Sequence, residues 1–317
     1  MPCRLVPLVV VALAAAPAAF AGGPSPGVSH GGPGVVAPGG ALRYAAVGTA
    51  DQTTVAAIQT KSGLVVRSTT IPGGFGIPAI DFNGTRGGLS ADGSTLVLGD
   101  SGPYPDKQRS SFAVLSTHPL SLQTQVTLAG SFSFDALSPD ASRLFLIQHM
   151  AGNDVTRYVV RAYDLGRGRL LPGRIADRTQ RGWVMQGMPV SRATSAGGRW
   201  VYTLYTNPGG YPFVHALDTV RSQAHCIGVP WKGKQDAVWK LRLRLADGGR
   251  TLRLDRASGR PYLTIATGTW RISYPAAARG SSAAGFPWWI AGVGIALLLF
   301  ARPISTRARA RFRAHAH

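Results

Sequence analysis

The chain has 317 residues, 45% of them hydrophobic and 15% charged, with 40 Gly and 22 Pro; that apolar fraction excludes a disordered chain, and the length allows one large domain or two smaller ones. Its 34 basic residues, mostly Arg, face 14 acidic residues that are all Asp, which disfavours any mechanism that needs a pair of glutamates. The two cysteines, Cys3 and Cys226, exclude a disulfide-rich mini-domain and a zinc ribbon.

Residues 1–21 read as a secretory signal peptide. Arg4 supplies the positive start, Leu5 to Ala16 the apolar run, and Ala19-Phe20-Ala21 a small-x-small cleavage site. The run is shorter than the roughly 17 to 25 residues that span hydrocarbon. Cys3 precedes it, so there is no lipoprotein box. Residues 22–40 hold eight Gly and four Pro, a composition expected to stay flexible because it buries too little apolar surface to offset ordering entropy.

Residues 41–274 show no long amphipathic helical pattern. A short frame recurs instead: a small residue, a spacer, Asp or Gly, then a turn and an alternating apolar run. It reads Thr49-Ala50-Asp51, Ser90-Ala91-Asp92-Gly93, Ser138-Pro139-Asp140-Ala141, Ser195-Ala196-Gly197-Gly198 and Ala246-Asp247-Gly248-Gly249. Asp-Gly and Gly-Gly tolerate the positive φ of a tight turn, and period-two alternation builds a half-buried strand. A second strand is expected after each later frame, at residues 111–115, 158–164, 213–218 and 261–265. The frames recur about every 50 residues, the scale of a propeller blade. These residues resemble the Ser-Pro-Asp-Gly type of WD40-like, YVTN-related β-propeller repeat, with Ser90-Ala91-Asp92-Gly93 and Ser138-Pro139-Asp140-Ala141 carrying the resemblance best. It implies an all-β propeller, which the signal peptide makes extracytoplasmic; the length of the segment divided by the repeat gives about five blades, six short ones being the alternative, and a β-sandwich with coincidental turns is the competing architecture. Because the resemblance covers scaffold residues, it transfers no catalytic position.

After a spacer at residues 275–285 comes an apolar stretch, residues 286–301, read as one membrane-spanning helix. Trp288 and Trp289 suit one interface, and the arginine-rich tail of residues 302–317 belongs on the cytoplasmic side by the positive-inside rule. The expected layout is a single-pass cell-membrane protein with its N-terminal domain outside.

Catalytic frames are missing: there is no His-Glu-x-x-His, P-loop or Gly-x-Gly-x-x-Gly opening a helix, and no Gly-x-Ser-x-Gly in the strand-to-helix setting of a nucleophile elbow. The frame Asp residues sit where Asp bonds its own backbone. His30, His118, His149, His215 and His225 lack metal-ligand spacing. No catalytic residue, metal or cofactor is therefore expected, and whether the chain is an enzyme stays open. One unit does concentrate aromatic, basic and thiol groups: Tyr211, His215, His225, Trp231, Lys232 and Lys234, with Cys226 among them, form the candidate ligand site. Charge is one-sided as well, net −1 over residues 22–156 and net +15 over residues 157–279. In an exported domain this points to a binding or scaffold module for an acidic wall polymer, anionic lipid or another envelope protein, since arginine grips phosphate bidentately. Export argues against nucleic acid. The alternative is an extracytoplasmic propeller hydrolase or lactonase, which would need a polar cluster at the central channel.

Overall fold

The structure is a computed structural model and describes residues 26–101, 107–150, 154, 156–177, 179 and 184–275. Its strands fall into five consecutive antiparallel sheets. Blade 1 contains β2 (Val35–Val36), β3 (Leu42–Gly48), β4 (Gln52–Gln59) and β5 (Val65–Pro72), after a short β1 (Gly27–Ser29) that joins the next sheet. Blade 2 has β6 (Phe75–Ala79), β7 (Thr95–Asp100), β8 (Arg109–Thr117) and β9 (Leu120–Ala129); blade 3 has β10 (Phe132–Leu137), β11 (Arg143–His149), β12 (Arg157–Asp164) and β13 (Arg169–Leu170), with β14 (Met185–Gln186) also on β12. Blade 4 has β15 (Pro189–Thr194), β16 (Trp200–Tyr205), β17 (Phe213–Asp218) and β18 (Gln223–Gly228), and blade 5 has β19 (Arg242–Ala246), β20 (Thr251–Asp255), β21 (Pro261–Ala266) and β22 (Ile272–Ser273). Sheets that succeed one another in chain order, each with its strands hydrogen-bonded in sequence, make an all-β propeller of five blades.

The recurring frame is the turn between the first and second strands. In blade 2 the Ser90 hydroxyl donates to Asp92 Oδ1 (2.6 Å), Thr95 N donates to Ser90 Oγ (2.9 Å) and Ser94 N donates to Asp92 Oδ1 (3.0 Å). Blade 3 repeats the set with Ser138, Asp140, Ser142 and Arg143. Blade 4 keeps only the serine bond, from Trp200 N to Ser195 Oγ. The carboxyls of Asp92 and Asp140 are held below the usual range chiefly by those serine hydroxyls, so they are turn builders. The frame at Thr49 differs: it lies between the second and third strands of blade 1. The equivalent turn there is Ala37-Pro38-Gly39-Gly40, where Ala37 N donates to Leu42 O and Gly40 N to Ala37 O, matching Ser90 N to Thr95 O and Gly93 N to Ser90 O. Without a Ser or Asp, that turn is invisible to the motif.

Blades meet through side chains. Four hydrophobic clusters join blades 1 and 2, 2 and 3, 3 and 4, and 4 and 5; among the described residues no such cluster spans blades 5 and 1. Blades 2 to 4 are covered on both faces, so their second strands are buried almost continuously, as in Leu144-Phe145-Leu146-Ile147. Among the described residues, blades 1 and 5 are covered on one face only and alternate instead, as in β4 and β19.

Residues 22–40 were expected to be flexible, yet Val28 and Val35 supply apolar anchors within that stretch. β1 pairs with the 77–79 half of β6, and β2 pairs with β3 and buries Val35. Glycine makes the approach feasible, since a Cβ on Gly34 (φ +67) would stand 2.0 Å from the Tyr44 carbonyl oxygen. The propeller therefore begins before residue 41. The chain after β6 makes an insertion that crosses to later blades: Phe82 N donates to Pro189 O (3.0 Å), Asn83 Nδ2 donates to Leu241 O (3.4 Å), and Phe82 meets Trp239 edge-on at 5.0 Å. The expected signal peptide (residues 1–21), membrane helix (286–301) and basic tail (302–317) lie outside the described residues, as does the spacer (275–285) beyond Pro275. Among the described residues no helix is long and apolar enough to cross a membrane.

Candidate anion-binding face

Blade 5 sorts its residues by alternation. Leu243, Leu252, Leu254, Leu263 and Ile265 are buried against blade 4, and the intervening Arg242, Arg244 and Arg253 therefore project from the opposite, free face. Arg244 and Arg253 are direct cross-strand partners, an arrangement that costs stability through like-charge repulsion. Asp255, 4% exposed, offsets part of it, accepting from Arg253 Nη2 at 3.0 Å and lying 3.8 Å from Arg244 Nε. Lys240 and Arg256 complete a groove of about 580 Å³ lined by these side chains with Ala257 and Gly259. The Nε of Arg253 is buried with no hydrogen-bond partner in the described structure. A surplus of guanidinium donors around one carboxylate, open on a sheet face, suits a ligand rich in phosphate or carboxylate.

The six residues singled out from sequence do not converge. His215 is 2% exposed on the blade 3 side of β17, its Nδ1 3.7 Å from Cys226 Sγ. Burial drives its imidazole down to about 4 and the Cys226 thiol up to about 12, so neither is a ready nucleophile or base at neutral pH. His225 lies on the opposite side of the sheet, 5.3 Å from the Trp270 ring. Trp231 is packed into the blade 4–5 core, its indole N–H donating to Lys234 O (3.1 Å). Tyr211, Lys232 and Lys234 are exposed, and Gln235 Nε2 reaches Gly210 O at 3.5 Å, which brings the Tyr211 loop beside the lysine loop. Sequence reasoning missed Lys240, Arg242, Arg244, Arg253 and Arg256. Their signal was present as Arg-Leu-Arg-Leu at 242–245 and Leu-Arg-Leu at 252–254.

A second polar group gathers where the inner strands of blades 3 and 4 meet. Asp135 and Arg192, 2% and 4% exposed at their side chains, form an ion pair, and Arg192 Nε also donates to Thr203 Oγ1 (3.0 Å). Beside them Ser133 Oγ lies 2.9 Å from His149 Nε2, with the imidazole lowered to about 4 by burial and then by Lys107. The Tyr158 ring stacks on Tyr205 at 5.2 Å, and burial raises the Tyr158 phenol well above its ordinary value. Ser133 lines two recesses of about 30 and 170 Å³, below the roughly 300 to 1,000 Å³ of small-molecule sites. No group of three or more His, Cys or Asp among the described residues is placed to hold a metal.

No family model matches the chain, and no curated protein matches it. Among solved structures it is similar to the hydrazine synthase of Kuenenia stuttgartiensis (15% identity, TM-score 0.46, covering 73% of this chain and 70% of that one). It is also similar to TolB from Acinetobacter baumannii (13% identity, TM-score 0.36, 74% of this chain and 56% of that one). A third likeness is to the Cps50 (Swd1) β-propeller domain of Myceliophteria thermophila (12% identity, TM-score 0.44, 75% and 63%).

Proposed function

We propose that this chain is a cell-surface propeller, tethered to the membrane by residues 286–301, that binds an anionic component of the envelope. The observation that carries the reading is the free face of blade 5. Arg244 and Arg253 share the single carboxylate of Asp255, and Arg242 on the same face donates to the Trp239 and Leu241 carbonyls, an arrangement that an anion relieves and that a purely structural sheet gains nothing from. The net charge of +15 over residues 157–279 supplies attraction beyond the groove. Binding supported this way is selective for acidic over neutral polymers and weakens with salt, because exposed charges are screened within about 10 Å at 0.1 M.

The test is a binding panel of acidic wall polymers, anionic vesicles and neutral glycans, run with the purified protein and with an Arg242→Gln/Arg244→Gln/Arg253→Gln variant whose thermal unfolding is checked first. Acid-selective binding lost in the variant is expected; equal binding to neutral glycans, or no change in a folded variant, would refute the reading. For the hydrolase alternative, the hydroxyl–imidazole contact that borders a recess is Ser133 with His149. The recesses that Ser133 lines are small, about 30 and 170 Å³, and burial drives the His149 imidazole down to about 4, so binding is the better supported reading.

A further inference from the structure

Strand direction narrows the source of the anion. β22 runs antiparallel to β21 with Thr264 opposite Ser273. The chain therefore leaves the propeller at the end where β21 begins, next to the Arg256 turn. Tyr274, 57% exposed, lies 6.4 Å from the Tyr262 ring, and the Arg256 guanidinium sits over that ring at 4.7 Å.

The connection between blades 4 and 5 opens on the same rim, because β18 ends and β19 begins there. It exposes Lys232, Lys234 and Lys240 together with Trp239, which is 37% exposed. The Tyr211 loop reaches it through Gln235. Two acidic residues share the rim, Asp236 and Asp255, and the second is already paired with Arg253. Cations interspersed with exposed Trp and Tyr make up the composition of a membrane–water interface.

Chain length agrees. Eleven residues, 275–285, separate Tyr274 from the expected span, and at no more than about 3.5 Å per residue they reach under ~40 Å. The rim from which the chain departs is thus kept close to the bilayer. We propose that this rim of blade 5, centred on Lys240, Arg242 and Arg256, docks on the anionic phospholipid headgroups of the membrane that anchors the chain, so that the propeller lies against the bilayer instead of swinging on its spacer. The inference rests on the anion-binding reading of blade 5.

Hydrogen exchange on the full-length protein in nanodiscs tests it. Discs of phosphatidylcholine alone are compared with discs containing phosphatidylglycerol, and a third sample holds soluble polyphosphate with the neutral discs. The expected result is several-fold slower exchange over residues 235–244 and 253–260 in the phosphatidylglycerol discs only, lost in a Lys240→Gln/Arg242→Gln/Arg256→Gln variant of unchanged melting temperature. Protection by polyphosphate without protection by anionic discs would overturn membrane docking and leave the anion-binding face intact. Protection by neither would overturn both, and failure of the chain to enter discs would remove the anchor on which docking depends.

Discussion

Ala141 stands at the turn position that blades 1, 2 and 4 fill with Gly40, Gly93 and Gly198, and it is forced to φ +53 where those glycines lie at +72 to +75. A left-handed conformation costs an L-residue about 1 to 2 kcal/mol, more than the entropy a glycine loses there. Ala141→Gly is therefore expected to raise stability by roughly 0.5 to 1 kcal/mol, readable as a higher urea midpoint with the same slope. His215 makes the opposite kind of prediction. Surrounded by Cys226, Asp135, Arg192 and Asp177, it is kept neutral in the fold, at about 4 against 6.5 when exposed. The folded state takes up this proton less readily than the unfolded chain, so stability is full above pH 6.5 and is lost as pH falls towards 4. On the order of 3 kcal/mol is at stake. Urea midpoints measured from pH 7 to pH 4 should drop less steeply in His215→Gln; an identical slope would show that the buried imidazole contributes nothing. The sequence showed the turn residues plainly because their side chains bond within a few positions of themselves. It hid the environment of His215, which combines Arg192 and Cys226 of its own blade with Asp135 and Asp177 from the chain of the blade before.

At the scale of the element, alternation separates end blades from middle ones. β4 and β19 alternate buried with exposed, whereas β11 buries four successive side chains, and the difference follows from whether a second blade covers the sheet. That contrast stands in the sequence as Arg-Leu-Arg-Leu against Leu-Phe-Leu-Ile, a signal that sequence reasoning passed over. The Thr49 frame shows the limit of motif reading: three of its residues fit, but the strands on either side belong to another turn. Short strands escaped too, since β1 and β2 take three and two residues from a glycine-rich stretch. Between blades 3 and 4 the Arg192–Asp135 pair acts as a buried clamp. Arg192→Met leaves Asp135 charged and unpaired and is expected to cost about 3 to 5 kcal/mol, whereas Arg192→Met with Asp135→Leu should recover most of it. Chemical denaturation of the two variants decides this, and equal losses in both would mean that packing, not charge pairing, holds the inner strands.

For the whole molecule, one end of the blade series carries the charge. The fold class, the approximate blade number and the basic half were legible because periodicity and composition are properties of the chain alone. Which arginines act together was not, because it depends on strand register and on blade 5 having an uncovered side. Tyr211, Lys232 and Lys234 end up on the rim next to that face, His215 and Trp231 are drawn into the surfaces between blades, where aromatic and imidazole rings fill space, and His225 stays exposed beside the Trp270 ring. The measurement that bears most directly on the central claim is the affinity of the full-length protein for an acidic wall polymer as a function of salt, wild type against Arg242→Gln/Arg244→Gln/Arg253→Gln. A steep linear fall of log affinity with log salt is expected for wild type, with a shallower slope and weaker binding in the variant. Salt-independent binding, or superimposable curves for the two proteins, would contradict the assignment of blade 5 as the anion-binding face.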